Sequence, residues 1–122
     1  MPESFPSLID DLDTAIASLR AGAPGPMRAF SQLAREALAP AALDVKTKEL
    51  IAIGIAIAGR CDGCIGFHVK AALRAGATRQ EVLDTCAMAI YMGAGPSMVY
   101  AAEALRAFDE LAQPAEAAGT VA

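Results

Sequence analysis

The chain has 122 residues, 55% of them apolar, with 29 alanines, six aromatic residues and no tryptophan. That length fits one domain, the alanines favour close-packed helices over a large sheet, and so much apolar surface on so short a chain points to a homo-oligomer. A formal charge of −4 with scattered Lys and Arg lacks the footprint of a nucleic-acid binder. The opening Met1-Pro2-Glu3-Ser4-Phe5-Pro6 does not have the layout of a secretion signal. The continuous apolar run 50–59 is about half a bilayer span, so no membrane partner is expected. Three cysteines, two of them in a CxxC, fit a reducing, cytoplasmic setting rather than a disulfide-stapled scaffold.

A first helix is predicted over 8–19, with Leu8, Leu12, Ile16 and Leu19 inside. After the turn at Ala21-Gly22-Ala23-Pro24-Gly25, Pro26 suits the first position of a second helix to residue 38, striped by Met27, Phe30, Leu33, Ala34 and Ala37. Asp44 can cap a third helix from Val45. The isoleucines at 51, 53, 55 and 57 would also suit a buried strand, but the cap and the lack of partner strands favour a helix that is apolar all round. The fourth helix starts near Cys61 or Asp62, keeps Lys70 and Arg74 on its wet face and ends at Gly76. Thr78 and Glu81 have capping-box spacing for a fifth, carrying Val82, Leu83, Cys86, Ala87 and Ile90. Gly93-Ala94-Gly95 is read as a hinge, since no phosphate-loop lysine follows. Pro96 opens a sixth helix to residue 111, with Met98, Val99, Ala102, Leu105 and Phe108 inward. The tail from Gln113 has little to bury. The expectation is an all-α domain of about six helices with a central CxxC-bearing helix hairpin.

The chemistry concentrates in Cys61-Asp62-Gly63-Cys64-Ile65-Gly66-Phe67-His68. On a helix, Cys61, Cys64 and His68 share a face, a disulfide is sterically accessible, and a thiolate near the helix N-terminus is stabilised by unpaired N–H groups. His68 one turn past Cys64 can act as its base, although a lone histidine is also a common core residue. If the third and fourth helices form an antiparallel hairpin through Gly59-Arg60, Glu49 can orient His68; alone it would merely complement the helix dipole. A metal site of Cys61, Cys64, His68 and Glu49 is the competing reading. Ligands spread over two turns, about 10 Å along the axis, converge poorly on a tetrahedral ion. Cys86 reads as a small core hydrophobe, Tyr91 and Tyr100 as core filling or pocket lining, and Asp62 as a cap. Gly63 and Gly66 are expected to leave backbone open beside the sulfurs.

Glu49, eleven residues, then Cys61-x-x-Cys64-x-x-x-His68 resembles the signature of the alkylhydroperoxidase (AhpD)-like proteins, grouped with the carboxymuconolactone decarboxylases. The resemblance extends through Lys48-Glu49-Leu50 and Ala75-Gly76-Ala77-Thr78-x-x-Glu81 and covers about residues 26–111. It implies a single helical domain over 1–122, an obligate trimer or hexamer, and exclusion of the decarboxylase branch, which lacks the cysteine pair. By that resemblance Cys64 would attack the peroxide. Cys61 would close the disulfide and later be attacked by the reductant, His68 would relay the proton, and Glu49 would support it, with no cofactor or metal. The best-studied members carry a histidine between the cysteines, where this chain has Gly63. The implied function is reduction of organic hydroperoxides by a dithiol/disulfide cycle, fed by a lipoyl or thioredoxin-like protein. The alternatives are a general dithiol–disulfide oxidoreductase or redox sensor, and a metal-binding helical oligomer.

Overall fold

Side-chain caps set four of the five helix starts. In the computed structural model, which describes residues 3–113, α1 (Phe5–Gly22) opens where the Ser4 hydroxyl accepts the Ser7 N–H. α3 (Val45–Ala58) opens where the Asp44 carboxylate accepts the N–H of Thr47, and α4 (Asp62–Arg74) where the Cys61 sulfur accepts that of Cys64. α5 (Arg79–Leu111) starts at the reciprocal Thr78–Glu81 capping box. α2 (Pro24–Leu38) has no side-chain cap and opens on a proline, whose missing N–H needs none. The first two helices thus begin earlier than the sequence suggests, and Cys61, not Asp62, caps α4. Most of the Gln113 tail lies outside the described residues.

The all-α expectation holds, with five helices among the described residues instead of six. The predicted fifth and sixth helices run together as α5, which breaks at Ala94 (φ 56, ψ −142) between Gly93 and Gly95. That conformation is disfavoured for any residue with a Cβ. Ser97 folds back against Gly93, leaving no room for a side chain there.

α3, α4 and α5 form the core, and α1 closes one side of it. In α3 the alternating isoleucines resolve into two opposite helix faces: Ile53 and Ile57 are fully buried, whereas Ile51 and Ile55 face outward. Opposite them, Ala101, Ala104 and Ala107 of α5 let the backbones approach closely, beside Ile65, Val69 and Ala72 of α4. Cys86 is buried as expected, and burial pushes its thiol pKa up. Tyr100 packs against the core, but Tyr91 is exposed.

Three apolar stripes are placed differently from the sequence expectation. α1 buries Phe5 and Ile9, while Leu19 is exposed, because the helix starts at Phe5 and its N-terminus is pinned to α5. The Phe5 N–H donates to Glu110 at 2.7 Å, and the Arg106 guanidinium lies 4.6 Å over the Phe5 ring. α2 buries no residue, leaving Phe30 and Leu33 exposed. In α5 the inward side is Ser97, Ala101, Ala104 and Phe108, so Met98 and Val99 point outward. α5 is also long and apolar enough, by length and composition, to cross a membrane. Its uncharged stretch 85–102 is longer than the run 50–59, and it is interrupted by the Ala94 break.

Two matching turns fix both ends of α4. After α3, Arg60 adopts φ 54 and donates to Ile57 O at 3.1 Å, while Cys61 donates to Ala56 O at 3.1 Å. After α4, Gly76 (φ 91) donates to Leu73 O and Ala77 to Ala72 O. Both are Schellman closures, but only the second has the glycine that the left-handed position favours. Arg60→Gly is therefore expected to stabilise the fold by about 1 kcal/mol in denaturant titration. A lower midpoint would contradict the strain assigned to Arg60.

Surface ion pairs give the fold an acid-side dependence. Lys46, 2.9 Å from Glu81, lowers that carboxyl's pKa with help from the Thr78 N–H, and Arg79 does the same to Asp109. A carboxyl depressed by folding stabilises above its unfolded pKa, and that stability is lost as pH falls through the folded value. The melting temperature should hold steady above about pH 5 and fall on acidification below about pH 4. Glu81→Gln should flatten that fall; an unchanged slope would remove Glu81 from the account.

Candidate active site

The α3–α4 turn does more than reverse the chain. Cys61 ends the closure of α3 and is at once the cap of α4, in extended conformation (φ −117, ψ 97), its sulfur 3.2 Å from the Cys64 N–H. Cys61 and Cys64 are bridged, with Cα atoms 5.2 Å apart, inside the span a disulfide requires. Cys64 is exposed and Cys61 half-buried. Asp62 lies in the first turn of α4, where its charge complements the helix dipole.

One turn beyond Cys64, His68 meets Glu49 across the hairpin, Nδ1 to Oε1 at 2.7 Å. The two side chains differ sharply in exposure: 5% for Glu49 and 37% for His68. A buried carboxylate that accepts from Nδ1–H fixes the ring orientation and leaves Nε2 as the open nitrogen. Cys61, Cys64 and His68 line one cavity of about 330 Å³ with Ala52, Ile55 and Gly59 of the α3 side. All four sequence-predicted site residues therefore converge, three around the cavity and Glu49 behind His68. Among the described residues, no group of three or more His, Cys, Asp or Glu side chains is arranged to hold a metal.

Gly63 and Gly66 do not open the backbone to a substrate, contrary to the expectation. A Cβ at 66 would meet Phe5 and Ile9 at 3.1–3.2 Å, and one at 63 would lie 2.7 Å from Leu12. Both glycines let α1 pack onto α4, so the sulfurs are reached from the α3 side. The wall residues Ala52 and Gly59 do not stand out in the sequence by residue type. Their signal is one of spacing: Glu49, Ala52, Ala56 and Gly59 follow helical periodicity, a track of small residues on the side of α3 that carries Glu49.

The model of the carboxymuconolactone decarboxylase family matches residues 24–107. The chain belongs to that family. A carboxymuconolactone decarboxylase family protein from Legionella pneumophila superposes with a TM-score of 0.87 at 50% identity, covering 89% of this chain and 97% of that one. A family member from Thermotoga maritima, suggested to take part in antioxidative response, shares the fold at a TM-score of 0.79 and 23% identity, over 93% of this chain and 97% of its own. An uncharacterised protein of Cupriavidus necator is 34% identical over 91% of this chain and 98% of its own length. Within the carboxymuconolactone decarboxylase fold, this chain carries a bridged CxxC beside a carboxylate–imidazole pair.

The geometry predicts a specific tautomer. Nitrogen-15 NMR of the neutral His68 ring should show the proton on Nδ1 in the wild type, with that preference lost in Glu49→Ala. A proton on Nε2 in the wild type would contradict the orientation assigned to the pair.

Proposed function

We propose that this protein is a thiol-dependent peroxidase that reduces organic hydroperoxides by cycling Cys61 and Cys64 between dithiol and disulfide. The observation that carries the reading is that the cysteine pair and a carboxylate-oriented His68 border the same cavity. His68 Nε2 takes the Cys64 proton, and the thiolate, near the N-terminus of α4, attacks the peroxide. The O–O bond breaks, one oxygen stays on Cys64 as sulfenic acid, and the alkoxide takes the proton from His68 and leaves as alcohol. Cys61 then attacks the Cys64 sulfur, forming the disulfide and releasing water. A dithiol donor, a lipoyl or thioredoxin-like protein, attacks Cys61, and Cys64 leaves as a thiolate that His68 can reprotonate. The donor's second thiol resolves the mixed disulfide, so the donor departs oxidised by two electrons. A reducing compartment such as the cytoplasm suits that cycle. The antioxidative role suggested for the Thermotoga maritima protein is compatible with it.

The Cys61 sulfur at the helix cap favours a second reading, general dithiol–disulfide exchange, since a thiolate there is stabilised whatever the oxidant. Turnover of lipoyl or protein disulfides with none of peroxides would select it. The primary reading expects cumene hydroperoxide to oxidise the reduced wild type in stopped flow, one disulfide per subunit. Cys64→Ser should react only at background; a rate equal to the wild type would misassign the attacking sulfur.

The proposal includes a homo-oligomer, trimeric or hexameric, assembled on the uncharged α5 stretch. Met88, Tyr91, Met92, Met98 and Val99 are all exposed there, an apolar surface of the kind that obligate interfaces cover. Light scattering at micromolar concentration should give a multiple of the chain mass. A mass near 12.5 kDa would overturn the oligomer.

A further inference from the structure

α2 separates polar from apolar residues along its length yet buries none of them. Phe30 and Leu33 are 64% and 62% exposed, and they look across to the outer face of α3, where Ile51 and Ile55 are turned from the core. Between the two helices runs a groove of about 400 Å³ whose wall includes these four side chains, Ala37 and His68. Lys48 also borders it, but its amine is held by the Ala37 and Ala39 carbonyls at 2.9 and 2.6 Å. That contact ties the end of α2 to α3 and leaves the groove wall almost wholly apolar.

The groove is not isolated. Ala52, Ile55 and His68 line both it and the cysteine cavity, so the two spaces meet at the imidazole. We infer that the α2–α3 groove holds the hydrocarbon arm of the hydroperoxide, so that the preferred substrates are hydroperoxides with an extended, uncharged alkyl chain. This rests on the peroxidase reading and names its substrate class. A peroxide group placed at Cys64 has α4 and α1 behind it, because Gly63 and Gly66 are closed by Leu12, Phe5 and Ile9. Past His68 and Ile55 the cysteine cavity continues into the groove, which offers the remainder of the molecule an apolar path. Its volume is in the range of small-molecule sites, and an alkyl chain laid in it also removes Phe30 and Leu33 from water. A second copy of the chain is the rival occupant, because Ile51 and Ile55 also wall a cavity with Met88 and Met92 of the uncharged α5 stretch; the wall that the groove shares with the cysteine cavity favours the substrate arm.

The test is single-turnover oxidation of the reduced full-length protein by ethyl, butyl, hexyl and octyl hydroperoxides. The second-order rate constant should rise up to about fourfold per added carbon until the groove is filled. Ala37→Trp, which puts an indole in the groove, should collapse the octyl-to-ethyl ratio. Should that variant fail to fold, Leu33→Ser removes apolar wall at an exposed position and should lower the same ratio. Oxidation by every member of the series at one rate would overturn the groove while leaving the peroxidase reading intact. Oxidation by none would overturn the peroxidase reading and the groove with it. A fall in oligomer mass on Leu33→Ser would assign the groove to a second copy and overturn the inference.

Discussion

The hydrogen bond between Glu49 and His68 is the constraint on which the arrangement of the site depends. A carboxylate as buried as Glu49 is costly to the fold unless something donates to it, and His68 supplies that donor at 2.7 Å. The two residues stand nineteen positions apart, so the bond forms only if α3 and α4 run antiparallel and in one register. The turn between them meets that requirement without spare residues. Its last hydrogen bond to α3 uses the Cys61 N–H, and the cap of α4 uses the Cys61 sulfur. Positioning His68 and positioning the cysteine pair are thus the same structural act.

The rest of the chain decides how the site is approached. α1 lies on the glycine side of α4 and is locked there by Arg106 and Glu110 of α5, which hold Phe5 at its start. That leaves the α3 side open, where Ala52 and Gly59 are small and Ile55 is exposed. α3 consequently serves two environments at once: Ile53 and Ile57 anchor the core, and Ile51 and Ile55 line the α2–α3 groove, with Ile55 also walling the cysteine cavity. A helix that is apolar on both faces is stable as part of a larger buried whole, which fits the proposed assembly and substrate arm.

Much of this arrangement is legible in the amino-acid sequence, for local reasons. Asp44, the Thr78–Glu81 box and Gly76 act through residues within one turn, so sequence spacing alone locates them. The Glu49–His68 contact is legible because a short turn between helices leaves them little choice but to pair antiparallel. The directions of α2 and of the α5 residues 98–99 are not. Amphipathicity shows that a helix has an apolar face, but not whether this chain or another molecule covers it. Gly63 and Gly66 mislead for a similar reason: a missing side chain looks the same in sequence whether it exposes backbone or admits a neighbouring helix.

The central claim is that Glu49 acts through His68 on the chemistry of Cys64, rather than merely bracing the hairpin. The direct measurement is the rate of Cys64 oxidation by a hydroperoxide in Glu49→Gln against the wild type, followed across pH, with folding checked by re-formation of the Cys61–Cys64 disulfide. The account predicts a variant that folds and closes the disulfide but is oxidised about a hundredfold more slowly, with an altered pH profile. A folded variant oxidised at the wild-type rate, with the same pH profile, would contradict it.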